Sequence, residues 1–165
     1  MMAAEVGFTV NGTSVTVSCD GGALLCDVLR EELDLTGTRV GCREGVCGSC
    51  NVLVDGEVVR SCLMLALQVE GCDVRTVEGL SIGGVLSALQ QAFLDLGAVQ
   101  CGFCTAGVLI TATSLFDGSS DPGEDEILEA LAGNLCRCTG YSKILEAIRA
   151  VMEAAPASRP SPQGR

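Results

Sequence analysis

Eight of the eleven cysteines fall into two blocks, and thiolates grouped in this way hold metal. The first block reads Cys42-Arg-Glu-Gly-Val-Cys47-Gly-Ser-Cys50, and Cys62 follows after eleven intervening residues. C-x4-C-x2-C…C is a spacing that suits a [2Fe–2S] cluster, in which four thiolates must converge on two irons. Three ligands from one loop require that loop to wrap closely around the inorganic sulfurs. Gly41, Gly45 and Gly48 suit such a loop, because glycine tolerates close backbone approach. A structural four-cysteine zinc site is the competing reading, but zinc sites usually pair two short C-x2-C knuckles.

The second block reads Gln100-Cys101-Gly-Phe-Cys104, then Asn134-Leu-Cys136-Arg-Cys138-Thr-Gly-Tyr141. Two short cysteine pairs are separated by 31 intervening residues, and on spacing alone zinc competes seriously with an iron–sulfur cluster here. Cys101 and Cys104 are expected to open an apolar helix, and Cys136 and Cys138 to follow a helix that ends near Ala132. Helix N-terminal amides favour anionic thiolates. Cys19, Cys26 and Cys72 lie outside both blocks and read as small buried hydrophobes.

The bulk composition narrows the chemistry further. The chain has 165 residues, a net charge of −11 and no histidine. Absent histidine excludes imidazole acid–base chemistry and mixed cysteine–histidine ligation on this chain. The acidic balance and a 3% aromatic content argue against nucleic-acid binding. No signal peptide and no membrane span are expected, since the longest apolar stretch, Ala106 to Phe116, is too short. Cysteines without a secretory signal favour metal over disulfides, in a cytoplasmic setting.

Elements to position these cysteines can be read from the pattern. Phe8 to Val17 is predicted as a hairpin turning at Asn11-Gly12, and Asn51 to Arg60 as a second turning at Asp55-Gly56. Ala23 to Leu33 has helical spacing, and Asp73 to Val77 reads as a short strand. Residues 5–77 therefore read as a mixed sheet with one crossing helix. Residues 78–84 read as a linker, and residues 85–154 as helical. There Val85, Leu86, Leu89, Ala92, Phe93 and Leu96 would form one apolar face, and Val108 to Phe116 a buried helix. Asp121-Pro122-Gly-Glu124 reads as a helix start with Asp121 as N-cap, and Ile127, Leu128 and Leu131 then face the core. Ser142 would cap a last helix. Residues 155–165 are expected to be a disordered tail.

The motifs Gly41 to Cys50, Gln100 to Cys104 and Gly133 to Tyr141 resemble those of the molybdenum hydroxylases, a family that includes xanthine dehydrogenase, aldehyde oxidoreductase and aerobic carbon monoxide dehydrogenase. The resemblance runs from about Val6 to Ala150. It implies an α+β chain: an N-terminal β-grasp, plant-type ferredoxin-like domain, then an all-α four-helix domain, each with one [2Fe–2S] cluster. It further implies that Cys42, Cys47, Cys50 and Cys62 ligate the first cluster, and Cys101, Cys104, Cys136 and Cys138 the second. By the same resemblance Gln100 contacts the pterin held by a partner, and Cys138 lies beside the pterin amino group. Ala106 stands where the family commonly has proline, and Ser49 where alanine is frequent; neither change removes a ligand.

A chain of this length leaves no room for a molybdopterin domain and shows no FAD fingerprint. The resemblance therefore implies the small subunit of an oxidoreductase, partnered by a large molybdenum subunit and a medium FAD subunit in a heterotrimer, with higher assembly expected. Electrons would pass from molybdenum through the two clusters to FAD. Two other classes are kept beside it: a free-standing two-cluster carrier, and a zinc-stabilised interaction module.

Overall fold

The computed structural model describes residues 3–119 and 122–154. Its first half is built on two hairpins. Strands β1 (Ala3–Val10) and β2 (Thr13–Asp20) pair antiparallel with Val10 opposite Thr13. Asn11 and Gly12 both take positive φ, the conformation a two-residue hairpin turn demands. Strands β3 (Asn51–Val54) and β4 (Glu57–Arg60) repeat the device around Asp55-Gly56. Strand β5 (Asp73–Arg75) joins them, pairing parallel to β1 and antiparallel to β3. The sheet is mixed, in the order β2-β1-β5-β3-β4.

The helix expected over Ala23 to Leu33 is shorter and wound differently. A single α turn, α1 (Leu25–Asp27), passes into a π-helical segment (Val28–Glu32), and the Leu33 N–H closes on the Val28 carbonyl at 3.2 Å. Leu25, Val28 and Leu29 still reach the sheet core, beside Val6, Phe8, Val52 and Val74.

Four helices follow among the described residues: α2 (Ala88–Asp95), α3 (Thr105–Gly118), α4 (Glu124–Leu131) and α5 (Ser142–Ala154). Helix α2 begins later than its apolar residues suggested. Ser87 is the N-cap and exchanges hydrogen bonds with Gln90, so Val85 and Leu86 precede the helix and are exposed. Helix α4 also starts later than predicted. Gly123 is its N-cap, its N–H donates to Glu126 Oε2 at 2.7 Å, and Pro122 lies outside the helix. Ile127 and Leu131 are buried as expected, while Leu128 is exposed. Ser142 is the first residue of α5, not a cap before it. Asp121 and the tail 155–165 lie outside the described residues.

Strand β3 joins the halves. Its four residues are all buried. Val52 and Val54 point into the sheet core, whereas Leu53 belongs to the helical core with Val108, Ile110 and Ile148. A strand alternates its side chains between two faces, so one strand serves both cores. No helix is long and apolar enough to cross a membrane among the described residues.

Candidate metal centres

The first cysteine block forms the loop between the π-helical segment and β3. Arg43, Gly45 and Gly48 all adopt positive φ, which coils the chain and turns successive N–H groups inward. The Glu44 and Cys47 N–H groups point at Cys42 Sγ, at 3.4 and 3.5 Å. These amides, Glu44 foremost, pull the Cys42 thiol down to about 6. Cys50 and Cys62 form a buried cluster with Cys26. Burial first, and then the Cys50 thiol beside it, push Cys62 up to about 11. Cys62 enters just after β4, so the antiparallel β3–β4 pair sets it beside Cys50.

The second block is assembled at helix ends. Cys104 is the N-cap of α3, Cys101 lies on the exposed turn before it, and Ala132 closes α4 ahead of Cys136. Cys101 Sγ and Cys138 Sγ are 3.5 Å apart. Cys101 is lowered by the Phe103 N–H, and Cys138 is raised by its contact with Cys101. Cys104 is pushed up to about 12 by burial and then by the Cys136 thiol. Burial opposes ionisation of Cys136, yet the Thr139 hydroxyl and N–H bring it below its ordinary value. Tyr141 braces this loop: its hydroxyl accepts from the Cys136 N–H and donates to the Asn134 carbonyl, both at 2.9 Å.

Both sets thus present sulfurs in pairs: Cys42 with Cys47, Cys50 with Cys62, Cys101 with Cys138, Cys104 with Cys136. Among the described residues no three such side chains stand close enough to hold one ion. A two-iron cluster takes two thiolates on each iron, and paired sulfurs in a glycine-coiled, amide-lined loop fit it.

Helix α3 lies directly on the first loop. A Cβ on Gly107 would come within 3.1 Å of Ser49 Cα and closer still to the Gly48 carbonyl. A buried polar chain spans the same contact. Asn51 Nδ2 donates to Thr111 Oγ1 at 2.8 Å, Thr111 donates to Asn134 Oδ1 at 3.0 Å, and Asn134 Nδ2 donates to the Gly48 carbonyl at 3.3 Å. Sequence reading did not single out Asn51, Thr111 or Arg60. Most of their partners lie far along the chain, and of the side chains in this network only Asn134 stood inside a quoted motif.

Two family models cover most of the chain. A 2Fe-2S iron–sulfur cluster binding domain matches residues 8–74, and a [2Fe-2S] binding domain matches residues 76–149. The nicotine 6-hydroxylase small subunit of Paenarthrobacter nicotinovorans is 53% identical over 144 residues, covering 87% of each chain. The caffeine dehydrogenase subunit gamma of a Pseudomonas species is 53% identical over 152 residues, 88% of this chain and 89% of that one. The chain is a small iron–sulfur subunit of the molybdenum hydroxylase family. The crystal structure of quinoline 2-oxidoreductase from Pseudomonas putida 86 superposes on this subunit with a TM-score of 0.88. That match has 51% identity and covers 92% of this chain and 95% of the other. This small subunit therefore carries two [2Fe–2S]-binding domains and is the iron–sulfur subunit of an oxidoreductase.

Proposed function

We propose that the chain is the electron-transfer subunit of a heterotrimeric, cytoplasmic molybdenum hydroxylase, carrying electrons from a molybdopterin site on a large subunit to FAD on a medium subunit. The residues assigned to the first cluster are Cys42, Cys47, Cys50 and Cys62, within a β-grasp domain of residues 5–77. Those assigned to the second are Cys101, Cys104, Cys136 and Cys138, within a four-helix domain of residues 85–154. The linker is residues 78–84. When bound, the two clusters supply one-electron carriers in series, which a two-electron hydroxylation needs in order to feed a flavin stepwise.

The single observation that supports this reading best is the pairing of the sulfurs in two sets, each on its own domain. The protein's part is positional. Glycine-coiled backbone in the first loop aims N–H groups at Cys42, and hydrogen bonds to sulfur favour extra negative charge there. Thr139 does the same work at Cys136, donating its N–H to Sγ, while Tyr141 braces the backbone of that loop. The first set is screened by burial of Cys50 and Cys62, while Cys101 and Cys138 are exposed beside exposed Gln100. That open edge suits a partner's pterin, with Gln100 as its contact and Cys138 nearest to it. The compounds in the relatives' names, nicotine and caffeine, are nitrogen heterocycles, so that class is the first to try with the assembled enzyme.

The test is purification from the native host, with elemental analysis and low-temperature EPR after reduction. Four irons and four acid-labile sulfides per chain, two EPR centres, no zinc and two larger companion chains are expected. Stoichiometric zinc would return the interaction-module reading. An iron-loaded chain isolated alone would favour the free-standing carrier.

A further inference from the structure

Arg60, the last residue of β4, reaches both cysteine loops. Its Nε donates to the Gly45 carbonyl at 3.2 Å, inside the first loop. Its Nη2 donates to the Gly133 carbonyl at 2.9 Å, three residues before Cys136. Its Nη1 donates to Asn51 Oδ1 at 2.5 Å, which starts the buried chain through Thr111 to Asn134 and Gly48. All three acceptors are neutral oxygens. Among the described residues no carboxylate forms a salt bridge with Arg60, although Arg43, Arg75, Lys143 and Arg149 each have one. The close fit is visible from the other side: a Cβ on Gly133 would strike Nη2.

A guanidinium offers a planar fork with donors in fixed directions, and it stays charged at every working pH. Held by neutral acceptors, the Arg60 charge is not cancelled by a carboxylate partner. Two of its acceptors, the Gly45 and Gly133 carbonyls, belong to the two loops that carry the two cysteine sets. Local charge and hydrogen bonding are what set an iron–sulfur potential.

Resting on the function proposed above, we infer that Arg60 is a shared positioning residue for both centres. It clamps the two ligand loops together and lends one positive charge to both sulfur sets, so that each accepts an electron more readily. Its geometric role is carried by the fork and its electrostatic role by the charge, and two substitutions separate them. Arg60→Lys keeps the charge and loses the fork. Arg60→Met loses both and keeps the apolar stem.

The experiment is EPR-monitored redox titration of the intact complex, with the magnetic interaction between the two reduced centres read from the same spectra. In Arg60→Met both midpoint potentials should shift to more negative values. In Arg60→Lys both potentials should stay near wild type while the magnetic interaction changes, because the loops are no longer fixed to each other. Wild-type potentials in Arg60→Met, or a shift confined to one centre, would overturn the inference. If Arg60→Met fails to assemble, the lysine variant decides: shifted potentials with an unchanged magnetic interaction would sink the idea. A wild-type protein lacking two iron signals would instead sink the functional reading, and this inference with it.

Discussion

The Leu135 N–H donates to the Cys47 carbonyl at 2.9 Å. Leu135 immediately precedes Cys136, so one hydrogen bond links the backbone of a first-set cysteine to that of a second-set cysteine's neighbour. The two cysteine blocks, 89 residues apart between Cys47 and Cys136 by their numbering, are in direct contact.

The packing of α3 on the first loop depends on Gly107. Replacing it with alanine places a methyl group against the backbone of Gly48 and Ser49, where no flexible side chain can yield. Overpacking costs about 1–3 kcal/mol, and the helix-propensity gain of about 1 kcal/mol offsets only part of it. Gly107→Ala should therefore lower the denaturation midpoint of the holo protein. Gly118→Ala, at the other end of α3 with nothing within 4 Å, is the control and should be neutral or stabilising. Equal behaviour of the two variants would mean that α3 can lift from the loop without cost.

Gln100 is exposed beside Cys101 and contributes no ligand sulfur. Gln100→Ala should leave both centres assembled. It should weaken cofactor retention or slow reduction of the clusters by substrate, by the worth of one hydrogen bond to a desolvated group, roughly 1–3 kcal/mol. Stopped-flow reduction and molybdenum content of the assembled complex give the answer. Wild-type values in both would leave Gln100 a surface amide.

The Asp27–Arg43 pair makes a pH-dependent contribution. Arg43 donates to both carboxylate oxygens, at 2.8 and 2.9 Å, and these bonds hold Asp27 below its usual range against partial burial. A depressed folded value stabilises the protein above the unfolded pKa of about 3.9, and that stabilisation is lost as pH falls through the folded value. Asp27→Asn should thus melt slightly below wild type at neutral pH, with the gap closing as the pH drops below about 4. A gap independent of pH would show that the asparagine disturbs packing and that charge is not involved.

Local signals made much of the fold legible. Asn11-Gly12 and Asp55-Gly56 specify their turns through two residues each, and both hairpins follow. Helix starts were harder to place. At α2 the Ser87–Gln90 box marks the start, two residues past the apolar Val85 that opens the predicted face, and at α4 the N-cap is Gly123, two residues past the predicted Asp121. The cysteine spacing revealed each set but not its neighbours. Arg60, Asn51 and Thr111 look like ordinary strand or helix residues until residues from the other half of the chain are brought to them. Nothing local records that approach.

The double burial of β3 has a consequence for how the molecule comes apart. A strand covered on both faces cannot be released by loosening either half, so its amides should exchange with solvent only when the whole chain opens. A fragment ending before α2 would carry Leu53 bare on one face of the sheet, beside two half-covered neighbours, Val58 and Val77. Such a fragment would present a sticky flank to its own copies. Production of the first half by itself would accordingly be governed by aggregation as much as by iron loading.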